Sequence, residues 1–166
     1  MQVNIALLTV TDTRNIDTDK SGAILVKKIS ENKHKLIDRQ IVKDEKKQIL
    51  NVLSNWIKND DLDIIITTGG TGLTGRDITP EAIKEIADKE IPGFGELFRE
   101  LSYKTVGTSA MQSRACAVLA NGKYIFALPG SSGGVIDAWD GILKYQLDIN
   151  HKPCNFVELF PRLKEK

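Results

Sequence analysis

Apolar positions along the chain fall into short runs that alternate with stretches of helical period. Val3 to Val10 reads as an apolar strand and Leu36 to Val42 as a second. Leu62 to Thr67 is short, β-branched and without polar alternation, as in a strand buried on both faces. Between these runs the period changes. Leu25, Val26 and Ile29 give a helix one buried stripe after Asp17 to Ser21. Ile49, Val52, Leu53, Trp56 and Ile57 fall at i, i+3, i+4, i+7 and i+8, a full amphipathic match. Asp44 is the expected N-cap of that second helix. Thr79-Pro80-Glu81 reads as N-cap, proline at the first helical position and an acid in the first turn, opening a helix to about Lys89. Pro92-Gly93 breaks it, and Phe94, Leu97, Phe98 and Leu101 form a further apolar stripe facing the core or another subunit.

The second half is less regular. Ser102 to Ala115 is polar, with Thr108, Ser109, Gln112, Ser113 and Arg114 as candidate site-lining residues. Ala115 to Leu119 and Lys123 to Leu128 predict a hairpin about Asn121-Gly122, a favoured turn dipeptide. A helix carrying Val135, Ile136, Trp139, Ile142 and Leu143 follows, and the tail from His151, with Pro153 and Pro161, reads as irregular. Strands alternating with helices predict a layered α/β domain with a largely parallel sheet. The 166 residues suit a single domain, residues 1–166, with a core that needs no disulfide or metal staple.

Composition narrows the function. Lys+Arg is 23 against Asp+Glu 22, a net charge of +1, which argues against nucleic acid as the main partner. No apolar run is long enough for a membrane span, and the start lacks a leader pattern, so a soluble, cytoplasmic protein is expected. Cys116 and Cys154 lack metal or redox spacing and are expected to be buried thiols. His34 and His151 are solitary and carry no assigned role.

Candidate chemistry lies in two small-residue loops. Thr68-Gly69-Gly70-Thr71-Gly72-Leu73-Thr74-Gly75-Arg76-Asp77 follows the third strand and offers bare amides and hydroxyls to a phosphate. Gly70, Gly72 and Gly75 fit G-x-G-x-x-G, but the helix starts only after Asp77 and no acid-terminated strand follows, so a nicotinamide enzyme is disfavoured. The G-x-x-x-x-G spacing of a P-loop is present too, with Arg76-Asp77 in place of Lys-Ser/Thr. A carboxylate beside a phosphate cradle is repulsive unless a cation lies between them. Asp77 therefore reads either as a ligand of phosphate-bound Mg²⁺ or as a loop-capping aspartate. Pro129-Gly130-Ser131-Ser132-Gly133-Gly134 is the second loop, either an anion seat at a helix start or an ordinary serine cap. Asp12, Asp44, the Gly69 to Asp77 loop and the Gly130 to Ser132 loop each follow a strand, so right-handed crossovers bring all four to one rim, where such sheets bind ligands.

These residues resemble the molybdenum-cofactor biosynthesis proteins MoaB and Mog, related to the G domains of gephyrin and plant Cnx. The resemblance rests on Leu8-Thr9-Val10-Thr11-Asp12, Ile41-Val42-Lys43-Asp44-Glu45, Thr68-Gly69-Gly70-Thr71-Gly72 and Arg76-Asp77-Ile78-Thr79-Pro80-Glu81-Ala82. It continues through Pro92-Gly93-Phe94-Gly95-Glu96, Gln112-Ser113-Arg114 and Leu128-Pro129-Gly130-Ser131. It covers nearly the whole chain, and the closing Pro153-Cys154-Asn155-Phe156 is similar to the MoaB branch. The resemblance implies a three-layer α/β/α molybdopterin-binding fold assembling as homotrimers or homohexamers. It implies adenylylation of molybdopterin by ATP with Mg²⁺ and release of pyrophosphate, with the two required carboxylates at Asp44 and Asp77. Some MoaB-branch proteins lack an aspartate at the position of Asp44; this chain keeps both. Gly69, Gly70, Thr71 and Gly72, with Gly130, Ser131 and Ser132, would then hold phosphates. Asp12, Ser109 and Arg114 would line the pterin or nucleotide pocket. A non-catalytic molybdopterin carrier or scaffold is the alternative.

Overall fold

A computed structural model describes residues 1–165. Six strands form one sheet in the order β2-β1-β3-β6-β5-β4. They are β1 (Asn4–Val10), β2 (Lys35–Val42), β3 (Ile64–Thr68), β4 (Lys89–Glu90), β5 (Cys116–Ala120) and β6 (Lys123–Leu128). β2, β1, β3 and β6 are parallel, while β5 and β4 add antiparallel at one edge. The helices include α1 (Lys20–Glu31), α2 (Lys46–Trp56), α3 (Thr79–Glu85), α4 (Pro92–Val106) and α5 (Ser132–Ala138), the last continuing through a π-helical turn, Trp139–Leu143, into α6 (Lys144–Gln146).

The period of two along the strands explains the three layers. Ile5 and Leu7 of β1, Ile64 and Ile66 of β3, and Tyr124, Phe126 and Leu128 of β6 enter one core. There they meet Leu25 and Ile29 of α1, Phe94 and Phe98 of α4, and Val135 and Trp139. The intervening Ala6, Leu8, Val10, Ile65, Ile125 and Ala127 enter a second core under α2 and α3, against Ile49, Leu53, Trp56 and Ile83. β3 is buried along its length, so the parallel centre reads as a continuous apolar run. Asn121 and Gly122, at φ 48° and 73°, make the turn between β5 and β6.

Several local expectations are corrected. Glu45, not Asp44, is the N-cap of α2 and makes no side-chain cap bond; the Asp44 amide instead donates to Asp12 Oδ1 at 3.2 Å. Ile78 caps α3, because the Thr79 hydroxyl donates to the Gly69 carbonyl at 2.9 Å. The helix from Pro80 ends at Glu85, and Lys89-Glu90 is an edge strand whose hydrogen bonds to β5 outcompete another helical turn. Pro92 opens α4, which runs on through Val106 into a 3₁₀ segment, Gly107–Gln112. Cys154 is exposed and Cys116 half-buried, with burial pushing the Cys116 thiol up to about 11. The tail contains a 3₁₀ segment, Val157–Arg162, and Phe156 and Val157 seal the first core. No helix among the described residues is long and apolar enough to cross a membrane.

Candidate functional site

The strands β1, β2, β3 and β6 are parallel neighbours, so the loops that leave their carboxyl ends share one rim. The two small-residue loops touch there. A Cβ added to Gly130 would lie 3.3 Å from the Cα of Gly69, and one added to Gly69 would lie 2.1 Å from the Val10 carbonyl oxygen. Gly69 and Gly70 have φ of 101° and 67°, a region that L side chains rarely adopt.

The carbonyls of the first loop are held from behind. Gly69 O accepts from the Thr79 hydroxyl at 2.9 Å, Gly70 O from the Thr79 amide at 3.0 Å and Thr71 O from the Arg114 amide at 2.9 Å. Gly72 O accepts from Arg114 Nε at 2.7 Å. In a trans peptide the N–H points opposite its carbonyl. Fixing the Gly69 and Gly70 carbonyls therefore aims the amides of Gly70 and Thr71 the other way. Neither amide has a protein acceptor outside regular structure among the described residues. This is the geometry of an anion cradle.

Carboxylates flank it. A Cβ on Gly70 would lie 3.1 Å from Asp44 Oδ1, and one on Gly72 would lie 2.7 Å from Asp77 Oδ2. Asp44 and Asp77 thus border the same loop rather than opposite faces. Asp12 is gripped by Arg76, whose Nε and Nη2 donate at 2.9 and 2.8 Å, and this holds the Asp12 carboxyl below its ordinary range. Asp77 Oδ2 accepts from the amide and hydroxyl of Thr74 at 2.8 and 2.7 Å. Partial burial pulls the Asp77 carboxyl up, but the Thr74 and Gly72 donors bring it net below the usual range. Asp44 differs. Burial first, then the negative charges of Asp12 and Asp77, push its carboxyl above the usual range, only partly offset by Arg76. A carboxylate raised by its neighbours' charge is one that a cation would stabilise. Among the described residues no group of three or more His, Cys, Asp or Glu side chains is arranged to cage a metal.

Arg114 sits behind the loop. Its Nη2 donates to Asp77 O at 2.8 Å and its Nη1 pairs with Glu81, in addition to the Nε bond to Gly72 O. The guanidinium thus shapes the loop that carries Asp77, and Arg114 also lines a cleft of about 440 Å³ with Glu81, Arg99 and Ser113. Ser109 lies in a cleft of about 370 Å³ whose walls include Phe98, Thr105, Pro129, Ser131 and Asp137. That cleft opens beside the second loop, where Ser131 caps α5 by accepting from the Gly134 amide at 3.1 Å. Ser132 is the first residue of α5. Thr105 and Asp137 also line that cleft, joined hydroxyl to carboxylate at 3.2 Å; neither carries a motif in the sequence that would single it out.

This arrangement defines an α/β domain with two glycine-rich loops and flanking carboxylates gathered at the carboxyl rim of a mostly parallel sheet. Comparison with known proteins makes the class specific. The family described as "Probable molybdopterin binding domain" matches residues 6–148. Molybdenum cofactor biosynthesis protein B of Escherichia coli K12 is 45% identical over 161 residues, 97% of this chain and 93% of that protein. The protein of the same name from Staphylococcus aureus MRSA252 is 48% identical, covering 88% of each chain. A crystal structure of a molybdenum cofactor biosynthesis protein B superposes with a TM-score of 0.89 at 38% identity, covering 100% of this chain and 98% of the other. The tungsten cofactor synthesizing protein MoaB of Pyrococcus furiosus superposes at 0.77 with 36% identity, covering 86% and 91%. The chain belongs to the molybdenum cofactor biosynthesis family of molybdopterin-binding domains.

Proposed function

We propose that this protein is a molybdopterin adenylyltransferase. A terminal phosphate oxygen of molybdopterin forms a bond to the α-phosphorus of ATP. The bond from that phosphorus to the α,β-bridging oxygen breaks, and pyrophosphate carries the electron pair away. The observation that carries this reading is the juxtaposition of Asp44 and Asp77 with a loop whose amides are turned outward. The names of the relatives support the substrate class.

Positioning and charge neutralisation supply most of the catalysis in such a transfer. Gly70 and Thr71 offer amides to one phosphate group, and the Gly130 to Ser132 loop receives a second. The nucleophile is already an anion, so no side chain need take its proton, in keeping with two histidines far from any assigned role. The donor set fits Mg²⁺, which is commonly held by one or two carboxylates and completed by substrate phosphates rather than by an all-protein cage. Asp77 and Asp44 would hold it, and it would neutralise the charge that builds on the phosphates. Asp12 keeps Arg76 beside these carboxylates, and Ser109 lines the neighbouring cleft.

The proposal includes assembly as a homotrimer or homohexamer. Leu97, Tyr103 and Val106 of α4 and Met111 just beyond it are exposed apolar side chains, which supports a partner surface there. Sedimentation equilibrium reads the assembly. The reaction is tested by mixing protein, molybdopterin and Mg-ATP and measuring pyrophosphate. Wild-type protein releases it and Asp77→Asn does not, while Asp77→Asn still binds molybdopterin. Binding without ATP-dependent pyrophosphate in the wild type would establish the carrier instead.

A further inference from the structure

The second loop has its own rear support, made of residues that no part of the proposed chemistry uses. Asp19 is buried, with 1% of its surface exposed. Its Oδ2 accepts from the Thr9 hydroxyl at 2.6 Å and from Arg39 Nη2 at 2.9 Å. Its Oδ1 accepts from the Gly22 amide at 2.9 Å and the Ser21 hydroxyl at 3.2 Å. Ser21 Oγ in turn accepts from Arg14 Nη1 at 3.3 Å, and Thr68 Oγ1 lies 3.4 Å from it. Both partners reach the second loop. Thr68 Oγ1 donates to Pro129 O at 2.8 Å, and Arg14 Nη1 donates to Gly130 O at 2.8 Å.

Two successive carbonyls are thus fixed, Pro129 O on the end of β3 and Gly130 O on the loop between β1 and α1. By the opposition of C=O and N–H within each trans peptide, the amides of Gly130 and Ser131 are turned the other way, toward the rim. Neither amide has a protein acceptor outside regular structure among the described residues. The same device that prepares Gly70 and Thr71 is therefore built twice, from unrelated residues. A peptide plane that could rotate freely would have to be ordered each time an anion bound, and prior fixing removes that cost.

We propose that Thr68 and Arg14, the latter anchored through Ser21 on the buried carboxylate of Asp19, are positioning residues that hold the Gly130 and Ser131 amides ready for a phosphate group. Thr68 ends β3, just before the first loop, so one strand end serves both cradles. Placing the phosphate on the substrate rests on the adenylyltransferase reading; the preparation of the amides does not.

Amide NMR of the whole protein titrated with inorganic pyrophosphate tests this without turnover. In wild-type protein the Gly130 and Ser131 resonances shift and saturate. Thr68→Val, which replaces the hydroxyl by a methyl of similar volume, weakens that binding about tenfold, roughly the net worth of one neutral hydrogen bond. Thr68→Ser keeps the donor and restores it, which a purely steric role would not do. Arg14→Ala, at an exposed position, weakens it in the same direction without a change in melting temperature. The proposal is overturned if the two amides do not respond in wild-type protein, or if Thr68→Val binds pyrophosphate as tightly as wild type. A wild-type response without pyrophosphate release from molybdopterin and Mg-ATP would leave the prepared cradle standing and remove the adenylyltransferase.

Discussion

Replacing Arg114 by alanine should damage catalysis far more than it damages the fold. The guanidinium links three parts of one loop: the Gly72 carbonyl, the Asp77 carbonyl and Glu81 at the start of α3. Its side chain and that of Glu81 are 32% and 42% exposed. The ion pair itself is therefore worth only about 0–1 kcal/mol. The two carbonyl bonds have a charged donor, for which roughly 1.5–3 kcal/mol each is typical, but water can replace part of that at a half-exposed site. A net loss of about 2 kcal/mol in the energy that fixes the loop is a reasonable central figure. If the loop is competent only in its fixed form, that loss lowers pyrophosphate release by about 30-fold. Global stability falls by no more than the same amount, about 4–8 °C in melting temperature for a domain of this size. Arg114→Lys restores the charge but not the planar fork, so it should stay closer to alanine than to wild type. Pyrophosphate release and thermal melting are measured side by side. Rates within twofold of wild type for Arg114→Ala would refute the role of this strut.

Asp44 gives an opposite pairing of effects. Its carboxyl is raised in the fold, so the folded protein holds the proton more tightly than the unfolded chain does. That contribution to stability is complete below the unfolded value and is lost as pH rises through the folded one. Asp44→Asn should therefore melt higher than wild type at neutral pH, lose activity, and lose any Mg²⁺-dependent rise in melting temperature. Asp19 behaves inversely. Burial raises its carboxyl, but Thr9, Gly22 and Arg39 bring it net below the usual range, so its contribution is present above the unfolded value and lost as pH falls through the folded one. Acid melts should show wild-type protein losing stability below the ordinary aspartate range more steeply than Asp19→Asn, which starts lower. Phe126→Ala, at a fully buried position 5.1 Å from the Phe94 ring, should cost about 3–5 kcal/mol, a drop on the order of 10 °C by calorimetry.

The sequence by itself determined the layers. Uninterrupted apolar runs marked β1, β3 and β6 as strands buried on both faces, and the structure divides them, with Ile5, Ile64 and Phe126 in one core and Ala6, Ile65 and Ile125 in the other. It also marked both loops, because runs of glycine, threonine and serine after a strand have few other uses. Boundaries governed by long-range competition were not legible. The helix from Pro80 stops at Glu85 because Lys89 and Glu90 pair with β5, a partner some thirty residues away that local propensity does not register. Only the tertiary structure decided the duties of individual polar side chains. Asp44 resembles a helix cap and instead borders the cradle, Thr79 and Arg114 turn to hold carbonyls, and Arg14 and Thr68 do the same for the second loop. A hydrogen bond between residues distant in the chain depends on direction and sub-ångström distance, and neither leaves a period in the sequence.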